Sequence, residues 1–336
     1  MQKAISKQHN KPAFIRKFQS ALEHGDRVWI GLNIAMSVIV VAIMVLIGIL
    51  LWNQSAVSRQ QIGLSFLSPF AAPTWDPVNN TYNTWSFIYG TLITSLVAIV
   101  IAVPLSIGIA IFLSELCPPW LRAPLSMLVE LLSAIPSVVY GLWGIFVFLP
   151  AVITPVGIFL GDALGSIPLL GGFFAGPIAA SGSSRLAAGI ILAIMIIPTI
   201  AAVSRDVFLA IPSSQREASL ALGATRWETI GRVLVPYGTS GILGAVILGL
   251  GRALGETMAV TMVIGNSLNS SISLLKPGYT MSSLIANQFA ESVNALNTSA
   301  LIEVALVLFL MTLALNIIAR LLVWRVSRRF PAEART

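Results

Sequence analysis

Residues 211–236 read IPSSQREASLALGATRWETIGRVLVP. Ser213 or Ser214 can cap a helix whose first turn carries Glu217, because serine side chains accept hydrogen bonds from the free N–H groups at a helix start. Gly223 then interrupts the helical pattern after a run of alanine and leucine. The segment therefore predicts a first short helix that stops at a glycine.

The second half of the same segment predicts another short helix, over Thr225–Val233, that leads into Pro236. A helix–glycine–helix hairpin of this composition presents an apolar knob flanked by charge. A rigid knob of this kind can transmit a rigid-body movement. On periodicity alone, an amphipathic linker lying on the membrane surface explains the segment equally well.

The hairpin lies between long apolar runs in a chain whose composition excludes a soluble protein. Of the 336 residues, 56% are hydrophobic and 10% are charged, and the mean hydropathy is +0.88. Soluble domains carry about 25% charged residues. We therefore expect an all-α polytopic membrane protein. Six runs are long enough to span a bilayer: Val28–Trp52, Phe87–Leu113, Leu125–Leu149, Leu186–Leu209, Tyr237–Ile264 and Ala300–Trp324.

Three prolines fall inside these runs: Pro104, Pro136 and Pro198. We expect kinks there and not helix ends, because neighbouring helices in a membrane bundle can satisfy the freed carbonyls. Residues 151–185 are apolar but interrupted by repeated glycines and prolines, so an outer-face cap or a shallow re-entrant segment is expected there. The first run exceeds the apolar core of a cleavable signal and predicts a retained helix.

The positive charges predict the orientation of the chain. Sixteen of the twenty Lys and Arg residues lie in the N-terminal tail, the second and fourth loops and the C-terminal end. Only Arg59, Arg185 and Lys276 fall on the other side, and Arg252 lies inside the fifth run. The positive-inside rule then places both termini in the cytoplasm. The net charge of +7 therefore indicates orientation, and a nucleic-acid partner is not expected.

This orientation gives a predicted organisation in four parts. They are a cytoplasmic N-terminal tail (1–27), a first transmembrane helix with its outer loop (28–84), a transmembrane core with its cytoplasmic loop at 211–236 (85–325), and a cytoplasmic C-terminal tail (326–336).

Several kinds of chemistry are excluded by residues that the chain lacks. Cys117 is the only cysteine, and the only histidines are His9 and His24 in the polar tail. Disulfides, cysteine metal clusters and Ser-His-Asp catalysis are therefore not expected. The chain has no G-x-x-x-x-G-K-[ST] motif, so a partner must handle ATP. The outer loops are too small for a solute-capturing domain, so high-affinity capture also needs another protein.

The fifth run contains a charged pair within GLGRALGETMAV, residues 249–260. Arg252 and Glu256 are four residues apart and would share a face of a continuous helix. Gly251 and Gly255 form a small-x-x-x-small pattern that allows close helix approach. The pair is either a structural ion pair or an anion site, in which the guanidinium fork binds oxyanion oxygens. Thr257 adds a nearby hydroxyl.

The spacing around Gly223 resembles the EAA signature of ABC importer permeases, E-A-A-x3-G-x9-I-x-L-P. The matching positions are Glu217, Ala218, Ser219, Gly223, Val233, Val235 and Pro236. Ser219 replaces an alanine, and two valines replace isoleucine and leucine, which keeps size or apolarity. In that family the hairpin is the coupling helix that docks on a cytoplasmic ATPase subunit. The resemblance implies this role for the matching residues, and a type I ABC importer permease fold.

Other stretches resemble the PstC family of permeases from ABC phosphate importers. They are residues 249–260 with Ile264–Asn266, SAIPSVVYG at 133–141, AIMIIP at 193–198 and RDVF at 205–208. The resemblance runs from about residue 85 to residue 325. It implies a PstA-like second permease, a PstB-like ATPase dimer that uses ATP, and a PstS-like phosphate-binding protein. It also implies that Arg252 and Glu256 matter for phosphate passage and that this chain binds no cofactor.

Together these features predict a translocase component without catalytic chemistry of its own, in a bacterial or archaeal plasma membrane in contact with lipid. Two alternatives remain open. The same machine could move another oxyanion, such as sulfate, molybdate or a phosphonate. A secondary anion carrier is the other alternative, and it leaves the hairpin spacing unexplained.

Overall fold

The structure, a computed structural model, describes residues 13–70, 72–168, 171–269, 271–292 and 294–327. The chain divides into two units, one ending at Asn53 and one beginning at Gln54. The described part of the first unit lies within one long helix, α1 (Ala13–Gln54). Within it the Asn33 amide and the Ser37 hydroxyl donate to carbonyls four residues earlier, at 2.9 and 2.8 Å. These bonds satisfy polar side chains inside an apolar helix.

The second unit is mostly helical. Its helices are α2 (Ala56–Gln61), α3 (Trp85–Ile111), α4 (Pro119–Ser133), α5 (Ser137–Trp143), α6 (Thr154–Leu164), α7 (Gly171–Phe174), α8 (Arg185–Leu209), α9 (Ser213–Ala221), α10 (Arg226–Thr229), α11 (Val235–Gly255), α12 (Met258–Val263), α13 (Met281–Gln288) and α14 (Ala295–Ser327). Wider π-helical turns extend α3 (Phe112–Leu116), join α5 to α6 (Gly144–Ile153) and join α10 to α11 (Ile230–Leu234). A 3₁₀ turn (Gly63–Leu67) and a hairpin of β1 (Trp75–Asp76) and β2 (Thr81–Tyr82), with Trp75 opposite Tyr82, precede α3.

Six helical runs among the described residues are long and apolar enough to cross a membrane, which confirms the predicted number of spans. They are Trp29–Gln54, Trp85–Leu116, Ser137–Leu164, Arg185–Leu209, Arg226–Gly255 and Ala295–Arg325. The helices continue through Pro104 and Pro198, as predicted.

The third span differs from the prediction. Leu125–Leu149 is not one helix, because α4 ends at Ser133 and α5 begins after Pro136. Proline disfavours helical geometry in the residue before it and cannot donate to the carbonyl four residues earlier. That carbonyl, of Leu132, instead accepts a 3.0 Å hydrogen bond from the Tyr140 hydroxyl. Pro136 therefore ends a helix, and the expected kink is wrong.

The segment 151–185 also differs in part from the expected cap. Its first residues belong to the third span, which continues through a π-helical turn into α6 and ends at Leu164. Pro155 stands in the first turn of α6, where a missing N–H costs little. Beyond Leu164, the described part of the segment holds only the four-residue α7. The glycines and prolines thus interrupt the second half of the segment only.

The fifth span begins earlier and ends earlier than predicted. The second arm of the hairpin, α10, runs without a break into α11, so one helical run covers Arg226–Gly255. Glu256 then adopts an extended conformation (φ −67°, ψ 128°), and α12 starts at Met258. The predicted continuous helix over Tyr237–Ile264 is therefore wrong at Glu256.

The centre of the second unit is α8, which packs against α3 on one side and α11 on another. Its buried face is apolar, and glycines allow close contacts along it. A Cβ on Gly189 would lie 2.6 Å from a Val97 methyl of α3. A Cβ on Gly249 would lie 2.6 Å from Cδ1 of Ile200, where α11 meets α8. The fold thus brings the last turns of α11 against the middle of α8.

Candidate functional site

Arg252 lies in the last turn of α11, on the face that contacts α8. Residues 249, 252 and 253 share one helix face by their spacing. Gly249 touches Ile200, and Ala253 is buried, so this face is turned toward α8. Arg252 is half-buried, and its Nη1 donates a 3.3 Å hydrogen bond to Thr199 Oγ1. A cation in the last turn of a helix also interacts favourably with the helix dipole.

Thr199 is a contact residue that was absent from the predicted site. It follows Pro198 in α8 and is half-buried. The available signal was a polar residue within the apolar run AIMIIPTIAA. The sequence does not say which face of a helix a lone threonine occupies relative to a residue on another span.

Glu256 does not form the predicted helical pair with Arg252, because α11 ends between them. Its Oε1 instead accepts a 3.4 Å hydrogen bond from the Ala259 N–H at the start of α12. Its main-chain carbonyl accepts a 2.8 Å bond from the Ser282 hydroxyl of α13. Across the described ranges no ion pair joins Arg252 to Glu256. Glu256 therefore connects short helices that follow the fifth span.

Thr257 has a hydroxyl that is engaged within the chain. It donates 3.2 Å to the Gly255 carbonyl, and the Thr261 hydroxyl donates 2.7 Å to the Thr257 carbonyl. Gly251 and Gly255 were expected at a helix contact, but a Cβ added to either would meet no atom within 4 Å among the described residues. Gly249 makes the close approach in this chain instead. The small-x-x-x-small pattern at Gly251 and Gly255 therefore has no counterpart contact among the described residues.

Arg252 consequently carries a positive charge within a span and makes one hydrogen bond in the part of the chain that the structure describes. A charged side chain inside a membrane span costs about 2.5–3.5 kcal/mol on insertion scales. The guanidinium has five N–H donors in a planar fork that matches the oxygens of an oxyanion. The geometry is therefore suited to an anion as a transient partner.

The predicted hairpin is present as α9, a glycine turn and α10. α9 begins at Ser213, but Pro212 occupies the cap position and no side chain caps the helix. The expected serine cap is therefore wrong, and Glu217 falls in the second turn. The second arm has a side-chain cap, since Thr225 and Glu228 bond reciprocally: the Thr225 N–H donates 2.9 Å to the carboxylate, and the Glu228 N–H donates 3.3 Å to the hydroxyl.

Gly223 forms the turn between the arms in the left-handed region, with φ +87°. A Cβ added there would meet no described atom within 4 Å, so the turn requires glycine for its backbone conformation and not for space. The two arms are joined by a 3.0 Å hydrogen bond between the Ser219 and Thr229 hydroxyls. Ser219 thus makes a contact that alanine at this position of the signature cannot make.

The outer surface of the hairpin is an exposed apolar knob. Glu217 and Ala218 are exposed, and the side chains of Leu222 and Trp227 are 90% and 68% exposed. An open groove of about 540 Å³ runs along the hairpin beside Ala218, Ser219 and Gly223. Exposed large apolar side chains at the end of a bundle indicate a protein interaction surface. Pro236 lies behind the knob, in the first turn of α11.

Within the described ranges, no three His, Cys, Asp or Glu residues are grouped so that they could hold a metal ion.

Comparison with known proteins gives consistent matches. Residues 102–330 match the family model described as "binding-protein-dependent transport system inner membrane component". The chain is 45% identical over 298 residues to the phosphate transport system permease protein PstC of Xylella fastidiosa strain 9a5c, covering 89% of this chain and 90% of that protein. It is 43% identical over 320 residues to PstC of Mesorhizobium japonicum, covering 95% of each.

A solved structure shares the fold. The structure is of a bacterial alginate ABC transporter in complex with an alginate pentasaccharide-bound periplasmic protein. One of its chains aligns with a TM-score of 0.56 at 15% identity, covering 88% of this chain and 94% of that one. At this identity the likeness concerns the fold alone.

Proposed function

Because the chain belongs to the family of binding-protein-dependent transport system inner membrane components, and within it to the PstC permeases, we propose how its residues move phosphate. The chain is a multi-pass plasma-membrane protein and a permease subunit of an ATP-driven phosphate importer. In this proposal phosphate crosses the membrane past Arg252, and movement reaches the spans through the hairpin.

The single observation that carries the proposed pathway is the state of Arg252. Its guanidinium is half-buried within a span and bonds only Thr199 among the described residues. Charge-assisted hydrogen bonds from arginine to phosphate are short and often bidentate. A passing phosphate would satisfy the open donors and neutralise the charge. Glu256 and Thr257 directly follow α11, the helix that carries Arg252. We include both residues in the proposed phosphate pathway.

The hairpin is proposed to dock on the ATPase. Glu217, Ala218 and Leu222 provide an exposed charged and apolar surface, and Gly223 provides a tight turn that leaves this surface open. α10 continues through Pro236 into the span that carries Arg252. A displacement of the hairpin by the ATPase would therefore move the anion site along one continuous helix.

The proposal also names partners, and it is the membership of the PstC permeases that supports them. We propose a PstA-like second permease, a PstB-like ATPase dimer that consumes the ATP, and a PstS-like protein that delivers phosphate. The positive residues predict cytoplasmic termini, and this orientation puts the hairpin on the ATPase side. The chain itself is proposed to bind no cofactor and to catalyse no covalent step.

The test is labelled-phosphate uptake in cells that lack their own PstC-type permease but retain the partner subunits. We expect this chain to restore uptake and expect ATP depletion to abolish it. Unlabelled phosphate should compete, whereas sulfate, molybdate and phosphonates should not. Uptake that survives ATP depletion would identify a secondary carrier. Competition by another oxyanion alone would keep the ABC permease and replace its substrate.

A further inference from the structure

Arg216 makes more polar contacts than any other residue of the hairpin among those that the structure describes. Its Nε donates to both carboxylate oxygens of Glu115, at 3.2 and 3.1 Å, and its Nη2 donates to Oε1 of Glu115 at 2.7 Å. Nη1 donates 2.6 Å to the Ile211 carbonyl, and Nη2 donates 2.6 Å to the Phe208 carbonyl. All three nitrogens of the guanidinium are therefore engaged.

These contacts connect three elements, of which the one that carries Glu115 lies 101 residues earlier in the chain than Arg216. Arg216 belongs to α9, the first arm of the hairpin. Phe208 is in the last turn of α8, whose free carbonyls favour a cation. Glu115 is in the π-helical turn that ends the second span, Trp85–Leu116. One side chain thus joins the hairpin to the ends of the second and fourth spans.

The ion pair is shielded from solvent. The side chains of Arg216 and Glu115 are 22% and 13% exposed. In contrast, the Arg205–Glu130 pair, also at an end of α8, has a glutamate that is 58% exposed. Exposed ion pairs contribute little because water and salt screen them, whereas shielded pairs with good hydrogen-bond geometry interact more strongly. Arg216 is therefore a firm attachment and not a surface contact.

α9 depends on this attachment because it buries no residue of its own. The apolar cluster at this end of the bundle draws on neighbouring elements, with Phe208, Ile211, Ile230 and Leu234 among its members. Among the described residues, α9 also bonds the second arm through the Ser219–Thr229 hydroxyl pair. The contacts of Arg216 thus attach an arm without buried residues to the ends of the spans.

We propose that Arg216, through Glu115, is the positioning residue that transmits hairpin displacement to the second and fourth spans. The fifth span receives the displacement directly, because α10 and α11 form one helical run. The second and fourth spans receive the displacement through the contacts of the Arg216 guanidinium with Glu115 and Phe208. All three spans would then move with the hairpin. This inference rests on the proposed coupling to an ATPase and adds the route by which the motion spreads.

The inference predicts uncoupling without loss of assembly. The test uses the complete complex, with partner permease, ATPase dimer and phosphate-binding protein, in proteoliposomes, where labelled-phosphate uptake and ATP hydrolysis are measured in the same sample. Arg216→Gln and Glu115→Gln should each lower phosphate moved per ATP by about tenfold, equivalent to about 1.4 kcal/mol. The double variant should be no worse than either single variant, because the two side chains form one contact. Arg216→Lys should give a ratio of phosphate to ATP between those of wild type and Arg216→Gln, since lysine keeps the charge but lacks the planar guanidinium.

Controls separate positioning from stability. Glu130→Gln removes an ion pair from the same helix end and should leave the ratio of phosphate to ATP unchanged. ATPase co-purification should match wild type in Glu115→Gln, which leaves the carbonyl contacts of Arg216 in place and provides the test if Arg216→Gln fails to fold. An unchanged ratio in Glu115→Gln, loss of ATPase binding, or an equal effect of Glu130→Gln would each overturn the inference. If the wild-type complex moves no phosphate, the proposed function fails and the inference fails with it.

Discussion

Arg252 Nη1 donates a 3.3 Å hydrogen bond to Thr199 Oγ1 across the contact between α11 and α8. The bond orients the guanidinium relative to α8, and the other N–H donors of the guanidinium bond none of the residues that the structure describes. It also couples the charged side chain of one span to the helix at the centre of the bundle. The orientation of Arg252 therefore depends on a residue that lies 53 positions earlier in the chain.

The first prediction concerns Thr199. Thr199→Val removes the acceptor with little change in shape and should raise the phosphate concentration for half-maximal uptake by about threefold, because hydrogen bonds to charged groups contribute about 1.5–3 kcal/mol at good geometry and this one is long. Thr199→Ser keeps the hydroxyl and should behave as wild type. The measurement is the concentration dependence of phosphate uptake in reconstituted vesicles. Equal behaviour of the valine and serine variants would remove the orienting role.

The second prediction concerns the exposed knob of the hairpin. Glu217→Lys reverses a charge on the surface proposed to meet the ATPase and should lower co-purification of the ATPase subunit by about tenfold, since like-charge juxtaposition at an interface costs several kcal/mol. The matched control is Asp162→Lys, which reverses an exposed carboxylate on α6. Membrane insertion of both variants should equal that of wild type. Unchanged co-purification of Glu217→Lys would remove this residue from the coupling surface.

Features of the fold that depend on local sequence can be predicted, whereas features that depend on tertiary contacts cannot. The number of spans follows from apolar length, and the turn at Gly223 follows from glycine chemistry. The end of α4 at Pro136 does not, because a proline in a membrane helix either kinks or ends it according to which groups satisfy the freed carbonyl. Here the Tyr140 hydroxyl supplies that bond from the next helix.

In the candidate site, too, the sequence identifies single residues but not their contacts. Arg252 can be identified as a candidate site residue from the sequence, because a charged side chain inside an apolar span is energetically costly. The predicted pair with Glu256 required a continuous helix, and the chain turns at Glu256 instead. In the sequence, Arg216 is only one of several positive charges in a loop, because its contacts with Glu115 and two carbonyls depend on tertiary packing. The periodicity of a sequence does not predict side-chain contacts between residues that are far apart in the chain.

The third prediction compares two substitutions of the glycine at the hairpin turn. Gly223→Ala forces a side chain into the left-handed region and should weaken the hairpin by about 1–2 kcal/mol without a clash. Gly223→Asn should be milder, because asparagine tolerates this conformation. ATPase co-purification is the measurement, with the order wild type, asparagine, alanine expected. Equal binding by all three proteins would contradict the conformational explanation.

The fourth prediction is the steric counterpart at Gly90. A Cβ there would overlap the Tyr279 carbonyl oxygen. Because a backbone atom cannot rotate away, Gly90→Ala should destabilise the protein by about 1–3 kcal/mol through overpacking. Gly172→Ala, where a Cβ would meet no described atom within 4 Å, is the matched control. The unfolding temperature in detergent should fall for the first variant only, and similar values for both would show that α3 can shift at this contact.

The fifth prediction concerns Arg185, the first residue of α8, which is fully buried. It donates to the carbonyls of Asn269, Ser271 and Ser273 at 2.8–3.0 Å and lies over the Tyr89 ring at 5.5 Å. Arg185→Gln should destabilise the protein by about 3 kcal/mol, because it removes the donors of one buried and two part-buried carbonyls. Proteolysis of the 266–280 loop in detergent should accelerate. A loop as resistant as in wild type would show that other contacts hold it.

In the proposed pathway Arg252 contacts phosphate during transport, and phosphate uptake by Arg252 variants tests this contact most directly. Labelled-phosphate uptake is compared for wild type, Arg252→Lys and Arg252→Gln in complexes whose subunit content is verified. We expect Arg252→Gln to lower uptake by about two orders of magnitude and Arg252→Lys by about tenfold, since each charge-assisted bond contributes about 1.5–3 kcal/mol and 1.4 kcal/mol is tenfold. The complexes should remain intact. Uptake by Arg252→Gln at the wild-type rate, or loss of the complex itself, would contradict the claim.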